Sequence, residues 1–214
     1  MNTNRHKEEQ AIAFWGRKAG QYDRAMAGGR SFYQDIIRRA MAVLRPEDVL
    51  IEAACGSGQV CCALAPHVSQ VWASDAAPQM VQTARAHAAQ QGLKNISFSV
   101  QDAIALAYPA HSADAVLCLA ALHLMPRADD AIQAFDRVLK PGGQLLLSSY
   151  LAGQSGMSRL GNALMSLNGY RDHHKWDEQG FIAFIEGHGY QVQERCFYSV
   201  FPIPLVYVRA VRMN

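Results

Sequence analysis

In "VLIEAACGSGQV" two glycines, Gly56 and Gly58, follow an apolar run, and Asp75 closes the next apolar run 17 residues after Gly58. Glycines directly after a buried strand let the backbone turn tightly and lie against a ligand. A helix opening near Gly58 points free N–H groups at the same place. An acid about 20 residues beyond such a turn binds a ribose in nucleotide-binding sheets. The pair predicts an adenosine-containing cofactor. A dinucleotide turn reads G-x-G-x-x-G, whereas "GSGQVC" has Cys61 at the third glycine. Glu52, ahead of the turn, would set negative charge beside a pyrophosphate; it suits a cofactor with cationic groups. Asp75 is also compatible with capping the helix that opens at Pro78.

Further along, "ALHLM" places His123 just after an apolar run, where a general base would stand beside a bound substrate. A histidine packed against the following helix is the other reading of that position. His173 and His174 resemble a metal pair but lack a third ligand in view, so no metal is assigned. Cys55, Cys61, Cys62, Cys118 and Cys196 are odd in number and form no C-x-x-C pair. They read as reduced, mostly buried thiols of a cytoplasmic protein. The formal charge of +2 disfavours nucleic acid and anionic membrane surfaces. No apolar run reaches the ~18 residues of a membrane span, and the polar start "MNTNRHKEEQ" shows no signal peptide.

The elements that must position these residues alternate. Strands are expected at 49–54, 70–75, 95–102, 113–121 and 144–150. Helices are expected at 58–67, 78–92 and 128–139, the second with Pro at its start and Gly past its end. This rhythm defines an α/β chain with a doubly wound, Rossmann-like parallel sheet. Before it, 11–26 reads as a helix broken at Gly28–Gly29, and 31–44 as a helix with Ser31 as N-cap. After it, 177–189 is a helix. Strands at 190–200 and 204–213 are then joined by too short a link for a crossover, so they should pair antiparallel. Residues 151–176 fit neither rhythm and read as an insertion above the sheet. Met157, Leu160, Leu164, Met165, Leu167 and Tyr170 there could roof an apolar pocket. The whole chain, 1–214, reads as one domain: a helical lid (1–45), a cofactor-binding core (46–150), a cap (151–176) and a C-terminal helix with hairpin (177–214).

"EAACGSG", Asp75, "QDA" at 101–103 and "VLKPGG" at 138–143 together resemble the class I S-adenosylmethionine-dependent methyltransferases. The similarity is to the small-molecule branch that includes the ubiquinone/menaquinone C-methyltransferases, and it spans roughly residues 12 to 212. The family turn is commonly D/E-x-G-x-G-x-G; Ala54 stands at its first glycine. The resemblance implies a seven-stranded sheet with a final antiparallel strand. It implies that Ala54, Cys55, Gly56 and Gly58 cradle the methionine and ribose of S-adenosylmethionine, with Glu52 ahead of them. Asp75 would take both ribose hydroxyls, and Ala76 and Met80 would flank the adenine. Asp102 and Ala103 would meet the adenine edge, and Leu119 and Ala120 would lie near the methyl group. Tyr22, on a segment that folds over the cofactor in relatives, would line the pocket and is the second catalytic candidate after His123.

The expected activity is methyl transfer, by in-line displacement, to a small, partly apolar molecule, in a monomer or homodimer with no nucleic-acid partner. An NAD(P) oxidoreductase and a non-catalytic cofactor-binding protein are the rival readings, because fold alone does not decide function.

Overall fold

Val49–Ala53 (β1) is buried along nearly its whole length, as a central strand covered on both faces must be. The computed structural model describes residues 2–26, 30–166 and 172–213, leaving out the side chains of 2–8, 21, 23–26, 30 and 165. Gln70–Asp75 (β2), Ile96–Val100 (β3), Ala113–Leu119 (β4) and Leu139–Tyr150 (β5) join β1 in parallel pairings. Tyr190–Tyr198 (β6) and Leu205–Arg212 (β7) form an antiparallel hairpin, and β7 also pairs antiparallel with β5. The seven strands run in the order β3-β2-β1-β4-β5-β7-β6. The expected α/β doubly wound sheet is therefore present, with its antiparallel end. Strand order reverses between β1 and β4, which puts the ligand crevice beyond their carboxyl ends.

Helices cover both faces. Arg30–Met41 (α2), Gln59–Leu64 (α3) and Pro78–Gln90 (α4) share one apolar cluster with Leu50, Val71 and Leu117. Ala128–Val138 (α5) and Glu178–Gly187 (α7) share the other with Ile51, Val116 and Leu145. α2 is tied to the hairpin through Asp35, which accepts from Tyr198 Oη at 2.6 Å and Arg39 Nε at 2.7 Å; Arg39 also meets Glu194. The Tyr198 hydroxyl, then Arg39, hold Asp35 down to about 2.

Several expected boundaries move. The first helix is continuous from Asn2 to Met26 (α1). Gly16 lies within it, facing the Gln79 side chain of α4. The Gly28–Gly29 break lies outside the described residues. Ser31 is inside α2 and is not its N-cap. α3 stops at Leu64, and Pro66 belongs to a separate short turn, 65–67. β5 begins five residues early, because "PGG" is absorbed as an irregularity: Ala113 pairs with Leu139 and Ala115 with Gln144. The insertion carries one helix, Gly156–Ser166 (α6). Its Met157, Leu160 and Leu164 are 59%, 57% and 58% exposed, so they face solvent and roof no pocket. Leu167, Tyr170 and the Met165 side chain lie outside the described residues. Among the described residues no helix is long and apolar enough to cross a membrane.

Candidate active site

Beyond the ends of β1, β2 and β4 lies a cavity of about 950 Å³, part of it open to solvent. Tyr22, Ala54, Gly56, Asp75, Ala76, Met80, Asp102, Ala103 and Leu119 all line it, with Ala120 and Ala121 beside Leu119. Chain segments from four strand ends thus converge where the sheet topology directs them.

The turn after β1 is held by the acid that follows β2. Asp75 Oδ2 accepts from Gly56 N–H and Asp75 Oδ1 from Ala77 N–H, both at 2.9 Å. Asp75 therefore braces the glycine turn and the entry to α4, whose N-cap, Ala77, has no side-chain cap of its own. Burial raises the Asp75 pKa; the two N–H bonds act against this. Each carboxylate oxygen retains capacity for a further hydrogen bond. Asp102 also caps locally, accepting from Ile104 N–H at 3.2 Å.

Three backbones at this site are left-handed: Ala54 (φ 56°), Gly56 (φ 55°) and Ala120 (φ 50°). Alanine at such angles costs roughly 1–2 kcal/mol. Strain of this kind concentrates where a binding site requires a particular backbone path. Gly56 has a further reason to lack a side chain, since a Cβ there would lie 3.3 Å from Tyr22 Cε1.

Four expected residues are elsewhere. Gly58 is left-handed (φ 79°), but its missing Cβ serves packing: one would stand 2.7 Å from Ala84 Cβ of α4. Cys55 is buried behind the turn, with Sγ 3.7 Å from Gly56 O. Glu52 is buried in β1 and does not line the cavity; it is 3% exposed, and its Oε2 has no hydrogen-bond partner. Burial pushes the Glu52 carboxyl up to about 8.

His123 is the largest departure. It is fully buried in the short turn Leu122–Leu124 and does not reach the cavity. Its ring stands edge-on to Tyr150, and Nε2 lies 3.7 Å from Asp172 Oδ1, beyond hydrogen-bond length. Burial first, then His174, pushes its pKa down to about 3, which makes it a weak base. The packed-histidine reading describes it better than the general-base one.

Sequence reasoning missed part of the wall. Ala11, Ile12 and Trp15 of α1 line the cavity with Tyr22, and Trp15 meets Tyr22 edge-on at 6.0 Å. Residues 11, 15 and 22 are spaced to share one helix face, a signal available in the sequence. Gln101, Ile104 and residues 124–127 also contribute. The last four follow β4 in a segment with no motif to mark it. Tyr22 is half-buried, and desolvation raises its pKa, so it is a neutral phenol at neutral pH; its hydroxyl bonds to Tyr33. Among the described residues no three His, Cys, Asp or Glu side chains are grouped to hold an ion, and His174 Nε2 instead lies 3.0 Å from Met125 O.

A seven-stranded sheet of this order, with a glycine turn and acid meeting at its switch point, defines the class I methyltransferase fold. A protein-family model described as a methyltransferase domain matches residues 51–147. The chain is 29% identical over 154 residues to aklanonic acid methyltransferase of Streptomyces sp. strain C5, covering 70% of this chain and 68% of the relative. It is 37% identical over 101 residues to ubiquinone biosynthesis O-methyltransferase of Xanthomonas axonopodis pv. citri, covering 47% and 42%. The match thus spans under half the length of that second relative. The magnesium protoporphyrin IX methyltransferase of Synechocystis, solved with bound SAH, superposes with a TM-score of 0.70 at 20% identity, covering 87% of this chain and 84% of that one. Residues 51–147 thus match a methyltransferase domain, and the fold is that of the class I methyltransferases.

Proposed function

We propose that the chain transfers a methyl group from S-adenosylmethionine to a small, partly apolar molecule by in-line displacement. The observation that carries this reading is the joint placement of the Gly56 turn and Asp75 at one cavity, with the Asp75 carboxylate bonded to Gly56 N–H. The residues fit the cofactor. Gly56, without a side chain, lets the turn line the cavity close to Tyr22, and Glu52, buried at the end of β1, has a carboxyl oxygen without a hydrogen-bond partner that would serve a cationic group. Asp75 would hold the ribose. Ala76, Met80, Asp102 and Ala103 would bound the adenine, and Leu119 would lie near the methionine end.

When bound, S-adenosylmethionine supplies an activated sulfonium methyl group. This chain contributes orientation and the exclusion of water. Trp15 and Tyr22 of α1 cover the cavity, and the strand ends fix its floor. His123, buried away from the cavity, is not assigned as base. Tyr22 is retained as the residue whose hydroxyl would contact the reacting groups. The acceptor is proposed as a small molecule rather than nucleic acid, in keeping with the +2 charge. The protein would act in the cytoplasm as a monomer or homodimer, in keeping with its free thiols.

Thermal shift tests the reading. S-adenosylhomocysteine should raise the melting temperature, and NADH should not. Stabilisation by NADH alone would favour the oxidoreductase reading, which the methyltransferase-domain match does not favour. Binding without turnover on a broad acceptor panel would favour a non-catalytic role.

Glu52 gives the binding a pH dependence. Its carboxyl is protonated below about 8, whereas a cationic group beside it favours the carboxylate. Binding therefore releases a proton, and affinity should rise with pH. S-adenosylhomocysteine affinity by calorimetry should increase between about pH 6 and 8 and then level off. Glu52→Gln should flatten this rise; an unchanged slope in the variant would assign it to another group.

Residues 1–45 are proposed as a lid that α1 provides. Arg17 and Lys18 are exposed tryptic sites on it. Cleavage there should be slowed by S-adenosylhomocysteine, as in enzymes whose covers close on ligand. Equal cleavage rates with and without ligand would make α1 a fixed wall. Arg24 and Arg30, two further sites, have side chains outside the described residues.

A further inference from the structure

The wall that follows β4 is held from outside by residues 50 positions further on. Leu124 and Met125 line the cavity, yet this stretch has only the short turn Leu122–Leu124 as regular structure. Two backbone N–H groups, from His173 and His174, donate to His123 O at 2.8 and 3.1 Å. His174 Nε2 lies 3.0 Å from Met125 O. A carbonyl only accepts, so Nε2 carries the hydrogen and donates it. The imidazole is itself braced: it stacks on Trp176 at 4.6 Å and 9°, and Trp176 packs on Phe181 and Phe184 of α7.

We infer that His174 is a positioning residue for the cofactor cavity, fixing the Met125 backbone and through it the wall between β4 and α5. This rests on the methyltransferase reading of the cavity. It also gives the adjacent histidines a role without a metal, because the His174 Nε2 is aimed at a carbonyl. The arm 172–176, at the end of the cap insertion, thereby couples the cap to the cofactor site. Without the imidazole donor, Met125 O loses this side-chain partner, and the wall is left with only the backbone bonds to His123 O from the arm.

The experiment is calorimetry of S-adenosylhomocysteine with wild type, His174→Ala and His174→Gln, each well below its melting temperature. The glutamine amide can reproduce the Nε2–H donor. His174→Ala should bind about tenfold more weakly, the upper range for one net hydrogen bond. His174→Gln should recover most of that loss. A purely structural role would lower the melting temperature and leave the affinity of the folded protein unchanged, which would overturn the inference. Equal weakening in both variants would overturn it too, since donation would not be the cause. If His174→Ala does not fold, His174→Gln decides: affinity near wild type supports the inference, and a loss of tenfold or more overturns it. Wild type failing to bind would instead overturn the methyltransferase reading, and this inference with it.

Discussion

Gly56→Val should abolish S-adenosylhomocysteine binding while leaving the fold largely intact. Gly56 has φ 55°, a conformation that β-branched residues avoid. Backbone angle alone is not decisive, because Ala54 holds φ 56° two residues earlier and the chain accommodates it. The decisive term is space. A Cβ at 56 would stand 3.3 Å from the Tyr22 ring, and valine adds two methyl groups in the gap between turn and lid. Gly56→Ala separates the two effects: it should bind measurably but weakly, whereas valine should show no binding. Melting curves would confirm that both variants fold. A folded valine variant with normal affinity would move the site elsewhere.

The second large effect concerns Asp75. Asp75→Ala should weaken S-adenosylhomocysteine binding by roughly 2–4 kcal/mol, since hydrogen bonds to a charged group are worth about 1.5–3 kcal/mol each and need not add. The structure adds a cost beyond the ribose. The same carboxylate accepts from Gly56 and Ala77, so its loss releases the glycine turn and the start of α4. The variant should therefore also melt earlier, even without ligand. Calorimetry showing unchanged affinity would remove Asp75 from the site.

The legible part of this protein was the part written in local backbone chemistry. Gly56 and Asp75 could be read because a strand-to-helix turn and a strand-end acid state their positions in a few adjacent residues. The seven strands could be read because apolar runs and punctuating glycines mark them. His123 could not, because the direction of a side chain just after β4 depends on how the turn Leu122–Leu124 lies against Tyr150 and residues 172–174. Gly58 looked like a second ligand-contacting glycine, but what it accommodates is Ala84, which only the packing of α3 on α4 reveals. α1 reaches back to Asn2, ahead of the expected start at 11, because the polar stretch 2–10 carries no apolar stripe to mark it as helix. The apolar stripe of α6 had the spacing of a pocket roof, yet periodicity names a face without saying what it meets.

A structure of the protein with S-adenosylhomocysteine tests the central claim most directly. The ligand should lie in the cavity beyond β1, β2 and β4, with its ribose hydroxyls on Asp75, its adenine between Met80 and Ala103, and its amino group on the Glu52 side of the Gly56 turn. Ligand bound away from Gly56 and Asp75, or a cavity left vacant at saturating ligand, would contradict it.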